Sequence, residues 1–124
     1  MEEYKKWLDY AEEDLNWANV SLRSGVYYGA CFAAQQSVEK SLKGFLFLHK
    51  KPSKKTHDVL VLPGDCIRID KDFEKLRTFV NVVVPYYIGT RYPDLADYSG
   101  FDDAKAREAC DSARHVIDFI KSRF

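Results

Sequence analysis

Residues 89–94 of the chain read Gly-Thr-Arg-Tyr-Pro-Asp, directly behind the apolar run FVNVVVPYYI. Arg91 offers a planar fork of N–H donors suited to a phosphate or a carboxylate, and Tyr86, Tyr87 and Tyr92 supply ring faces beside it. The same residues also read as a helix stop, with Pro93 fixing the backbone and Arg91 paired to Asp94 or Asp97. A second candidate is Thr56-His57-Asp58. A helix start there favours an anion, and His57 could act as acid, base or donor; the alternative is ordinary capping by Thr56 or Asp58. A third is Glu39-Lys40-Ser41-Leu42-Lys43, in which Glu39 and Lys43 stand four apart in the favourable order and predict a solvated surface pair. Lys50, Lys51, Lys54 and Lys55 form a basic corner that could touch phosphates or simply solvate a loop.

Other chemistries find little support. His49, His57 and His115 are far apart and belong to no ligand pattern, so neither a metal nor a cofactor is expected. A Gly-rich phosphate loop and a G-x-S-x-G elbow are both missing. Cys31, Cys66 and Cys110 are odd in number and scattered, which argues against a disulfide framework and fits a reducing cytosol. The opening MEEYKKWLDYAEED lacks the apolar core of a signal peptide. The longest uncharged run, residues 24–38, is about 15 residues against the roughly 20 that a membrane span needs. Nineteen basic residues balance nineteen acidic ones, so no global field draws the chain to polyanions. These features predict a soluble, cytoplasmic protein of one domain, residues 1–124.

Helical periodicity supplies the elements that must position the candidates. Tyr4, Leu8, Ala11, Leu15, Ala18 and Leu22 form one apolar stripe on a helix of about twenty residues, closed by Ser24-Gly25. Cys31, Ala34, Val38, Leu42, Phe45 and His49 form the next stripe, up to Lys50-Lys51-Pro52. The short joint makes these two helices an antiparallel hairpin, and alanines at 30, 33 and 34 allow close backbone approach. DVLVL reads as a short helix capped by Thr56 and closed by Pro63-Gly64. Phe73, Leu76, Val80, Val83 and Tyr87 continue the period, with Pro85 expected to kink that helix. Ala106, Cys110, Ala113, Ile117, Ile120 and Phe124 share a face of a last helix over residues 102–124. The expected fold is all-α: an up-and-down four-helix bundle plus one short helix. With eight Tyr, eight Phe and two Trp, the aromatics exceed what one small core easily buries, which predicts a homodimer.

The opening WLDYAEEDLNWA, the run FAAQQSVEKSLKGFL, His57-Asp58 after the loop, and TRYPD before the last helix occur in an order that resembles the HEPN family (higher eukaryotes and prokaryotes nucleotide-binding) in its small stand-alone prokaryotic form. The resemblance spans nearly the whole chain. It implies a compact helical bundle that pairs with itself. It also implies a link to a small nucleotidyltransferase encoded alongside, in a toxin–antitoxin-like pair with a nucleotide or RNA as ligand. Some family members look like metal-independent ribonucleases whose signature is an arginine followed, after four to six residues, by a histidine. Here that spacing fails: the nearest arrangement is Arg107 with His115, seven residues between them. The residues that match this branch are Lys40, His57, Asp58, Arg91, Tyr92 and Asp94, as ligand-binding rather than catalytic groups. The competing expectations are a ribonuclease toxin with an atypical pair such as Arg91 and His57, and a purely structural interaction module.

Overall fold

The computed structural model describes residues 2–51, 61–94 and 100–124. The described residues form five α-helices and one 3-10 segment: α1 Glu3–Arg23, α2 Tyr27–Leu48, α3 Val61–Ile69, the 3-10 segment Lys71–Leu76, α4 Arg77–Gly89 and α5 Asp103–Lys121. The all-α architecture expected from the periodicity is what the chain adopts, with α1, α2, α4 and α5 as its main helices.

Helix α1 ends where Gly25 takes the left-handed conformation, φ 77°. Val26 N–H then donates to the Ser21 carbonyl at 2.8 Å and Gly25 N–H to that of Leu22 at 3.1 Å, which satisfies two carbonyls the helix end would leave open. The chain turns straight into α2, and the two helices lie antiparallel. Their backbones come close because the contact residues are small. Ala11, Ala18, Ala30, Ala33 and Ala34 are completely buried, Ser37 Oγ donates to the Ala11 carbonyl at 2.9 Å, and a Cβ built on Gly44 would stand 3.3 Å from that of Trp7.

Helix α2 is the centre of the bundle and packs against α1, α3, α4 and α5. From Ala30 to Leu46 only Phe32, Gln36 and Lys40 rise above full burial. The four predicted stripes meet there: Leu15, Val38, Leu42, Phe45, Phe73, Val80, Val83, Ile117 and Ile120 fill the core.

Several local expectations are corrected. Proline does not stop α2; the helix ends at Leu48 and closes through Lys50, whose φ of 56° places a lysine where glycine is usual. Lys51 N–H donates to the Leu46 carbonyl at 2.8 Å and Lys50 N–H to that of Phe47 at 3.0 Å. Pro63-Gly64 does not close a short helix but lies within α3, which runs on to Ile69. The remainder of that short helix, residues 56–60, lies outside the described residues. Pro85 lies inside α4, the helix in which the sequence placed it, and α4 runs on to Gly89. The Glu39–Lys43 pair is not solvated. Its side chains keep 5% and 7% exposure at a separation of 3.0 Å, because α2 is enclosed by other helices rather than facing water.

Candidate functional site

The TRYPD segment begins at the last turn of α4. Thr90 caps that turn, its Oγ1 donating to the Tyr86 carbonyl at 2.6 Å. The Tyr28 hydroxyl of α2 donates to the Thr90 carbonyl. Tyr28 also meets Phe101 edge-on, with centroids 5.1 Å apart. Phe101 in turn lies 6.0 Å from Tyr86. These contacts tie the end of α4 to the start of α2 and the approach to α5.

Arg91, on the next residue, folds back over its own helix. Its Nη1 donates to the Tyr87 carbonyl at 2.8 Å. The guanidinium carbon lies 4.2 Å from the Tyr87 ring centroid and 4.9 Å from that of Phe32. Two aromatic rings therefore hold the cation, each such contact contributing about 0.5–1 kcal/mol at a partly exposed site. Among the described residues no carboxylate pairs with Arg91, so the expected local pairing with Asp94 does not form; Asp97 lies outside them. Tyr92 and Asp94 follow on the exposed surface.

Phe32 extends this surface toward α1. The indole of Trp17, nearly half exposed, meets Phe32 edge-on at 5.7 Å. Further along the same open stripe of α2 stands Lys40. Its Nζ pairs with Asp14 at 2.7 Å and lies 5.8 Å from the Tyr10 ring centroid. Eight residues separate Phe32 from Lys40, about 12 Å of helix axis. Arg91 and Lys40 thus occupy one face without converging on one point, and Lys40 is already neutralised by Asp14. His57 and Asp58 lie outside the described residues.

Sequence reasoning counted Tyr86, Tyr87 and Tyr92 as stacking faces and overlooked Phe32 and Trp17. Of those three, Tyr87 carries the guanidinium. Tyr86 turns inward toward Cys31, and burial pushes its hydroxyl pKa up to about 12. Phe32 was legible only as one more apolar residue in an apolar helix, because nothing in the spacing says which turn of α2 is left uncovered.

The described histidines stand elsewhere. His115 stacks on Phe79 at 4.6 Å, about 12 Å along α4 before Tyr87, the ring that carries the Arg91 guanidinium. Arg107 is held by Asp103 at 2.6 Å, two turns of α5 away from His115. No group of three or more His, Cys, Asp or Glu among the described residues could hold a metal ion. None of the described helices is long and apolar enough to cross a membrane.

An all-helical bundle with a central buried helix and an aromatic-backed arginine at the end of its fourth α-helix is the class of protein that fold and site define. The HEPN domain family model matches residues 4–123, so the chain belongs to the HEPN family. It is similar over its full length, and over the full length of the other chain, to TT1696 from Thermus thermophilus, at 34% identity and a TM-score of 0.83. It is also similar to ST0689, an archaeal HEPN homologue, at 26% identity and a TM-score of 0.77, covering 99% of this chain and 98% of that one. No curated protein matches.

Proposed function

We propose that this protein binds a phosphate-bearing ligand, a nucleotide or a short RNA element, on the face formed by Arg91, Tyr87, Phe32 and Trp17, and does so as the non-catalytic partner of a small nucleotidyltransferase in a toxin–antitoxin-like pair. One observation carries the reading: the Arg91 guanidinium is fixed over two rings while no described carboxylate neutralises it. A guanidinium so held keeps Nε and Nη2 for an anion and loses little side-chain entropy on binding. The neighbouring indole and phenol rings offer base-sized stacking faces. Membership of the family supports the link to a nucleotidyltransferase, and His57 and Asp58 are proposed as further ligand contacts together with Lys40, Tyr92 and Asp94.

The protein acts as a homodimer in this reading. Tyr10 and Val20 leave 64% and 43% of their surface exposed along α1, and a second helix face would cover them. Light scattering should give about twice the 14.4 kDa chain mass; a clean monomer at micromolar concentration would remove this part.

Titration of Trp17 fluorescence, read in a Trp7→Phe background, with nucleoside mono-, di- and triphosphates and with short oligoribonucleotides tests the binding face. Saturable quenching that is lost in Arg91→Ala supports it, and the absence of quenching by every probe overturns it. RNA cleavage by the purified protein that disappears in His57→Ala would instead establish the ribonuclease reading. Co-purification with the nucleotidyltransferase encoded alongside tests the partner.

A further inference from the structure

The opposite end of the bundle carries a cleft of about 590 Å³ between the end of α2, the junction of α3 with the 3-10 segment, and Arg123 just beyond α5. Its floor is apolar, made by Phe45, Ile67 and Ile69. The rim is polar, with His49, Arg68, Asp70, Lys71 and Arg123. That size and this division between floor and rim are those of small-molecule sites, which run to roughly 300–1,000 Å³. The Phe32-to-His49 span of α2 puts it about 25 Å from the Arg91 face, so it is a separate site.

The charges of the rim are mostly committed. Arg123 stacks over Phe119 at 4.6 Å and reaches Asp70 at 3.6 Å and Asp72 at 3.2 Å. Arg68 pairs with Asp65 at 3.1 Å. Asp70 also caps the 3-10 segment, accepting from the Asp72 N–H at 3.0 Å. Lys71 is left with no partner among the described residues, and neither ring nitrogen of His49 is hydrogen-bonded there. The His49 ring rests against Phe45, centroids 4.5 Å apart. Directly behind it Lys50 adopts the left-handed backbone, φ 56°, a conformation costing a non-glycine residue about 1–2 kcal/mol. Strained residues of this kind concentrate beside binding sites; here the strain turns the chain at the point that leaves His49 on the rim.

We propose that this cleft binds a small organic monoanion with a flat apolar body, an aromatic carboxylate. The body lies on Ile67 and Ile69, above the buried Phe45, Lys71 takes the carboxylate, and His49 donates a hydrogen bond. Among the described rim residues, one uncommitted cation matches one negative charge. A doubly charged phosphate would meet the carboxylates of Asp65, Asp70 and Asp72 behind the arginines without a second free cation among those residues to balance it.

The test uses the full chain, isotope-labelled, and three probes with one ring system: 1-naphthoate, 1-naphthyl phosphate and 1-naphthylmethanol. Saturable amide shifts at His49, Ile67, Ile69 and residue 71 are expected with 1-naphthoate. The uncharged alcohol and the Lys71→Ala variant should each weaken binding about tenfold, the lower end for loss of a charged hydrogen bond. Lys71 is exposed, so the variant folds as the parent does. The proposal is overturned if 1-naphthoate gives no saturable shifts at these amides in the millimolar range, if Lys71→Ala or the alcohol binds as well as the parent pair, or if the phosphate binds tenfold tighter than the carboxylate.

Discussion

Arg91 and Tyr87 are joined twice: the guanidinium carbon sits 4.2 Å from the Tyr87 ring centroid, and its Nη1 donates to the carbonyl of the same residue at 2.8 Å. The i,i+4 spacing at a helix end makes both contacts available at once. An arginine past the last turn can fold back, satisfy a carbonyl that has no intrahelical partner, and lie over the ring one turn below. Phe32 of α2 closes the other side. This geometry sets the first prediction.

Arg91→Lys keeps the charge but loses the fork and the planar face. Affinity for the phosphate-bearing ligand should fall ten- to a hundredfold, the equivalent of roughly 1.5–3 kcal/mol for a charged hydrogen bond. The melting temperature should move little, because the carbonyl it caps lies at a solvent-accessible helix end. Both quantities are read on one variant by titration and by thermal unfolding. A stability loss with unchanged binding would return TRYPD to the role of a helix stop.

Lys43 and Glu39 are buried together, and the network extends from Glu39 to Gln35 at 3.2 Å and from Gln35 to Gln36 at 2.7 Å. The Lys43 ammonium lies 5.4 Å from the Trp7 ring centroid. Lys43→Met removes the buried ammonium 3.0 Å from the Glu39 carboxylate and should cost about 3 kcal/mol in urea unfolding. Adding Glu39→Gln should recover part of that loss, since the carboxylate that lost this ammonium is then replaced by a neutral amide. A single variant as stable as the parent would contradict the burial.

At Gly44 α1 approaches α2 closely, with the Tyr4 carbonyl and Leu8 N–H 3.4 and 3.5 Å from a Cβ placed there. Gly44→Leu has no room for its branches against backbone and should destabilise by about 2–3 kcal/mol despite better helix propensity. At Gly64, where a Cβ meets nothing within 4 Å, Gly64→Ala should be neutral or stabilising. Equal effects at the two positions would remove the packing explanation.

The three cysteines are buried and unpaired. Burial pushes the Cys66 thiol up to about 12 and those of Cys31 and Cys110 up to about 11. At pH 8 a thiol at about 11 is ionised roughly one part in a thousand, so aromatic disulfide reagents should label the native protein far more slowly than the unfolded chain. The folded state holds these protons more tightly than the unfolded state, so their contribution to stability is complete below about pH 9 and is lost as pH rises toward 12. Unfolding midpoints measured from pH 8 to 11 should therefore fall. Replacing Cys66 with Ala should flatten part of that slope.

The helices and their buried faces were readable from the residues alone. A 3.6-residue apolar period can be satisfied only by a helix with one face against a core, and Leu15, Val38, Val83 and Ile117 are buried where the stripes put them. The small residues at 30, 33 and 34 likewise announced a close helix contact. What periodicity does not encode is how many sides of a helix are covered. Glu39 and Lys43 have the spacing of a surface pair, yet α2 is surrounded, so the same spacing produces a buried one. The partners of Arg91 were hidden for the same reason. Tyr87 is local and visible, but Phe32 is fifty-nine residues away and meets the guanidinium only because α4 ends beside the start of α2. Local sequence decided which residues could bind or cap. The packing of α2 among its neighbours decided which of them meet, and which keep an open face.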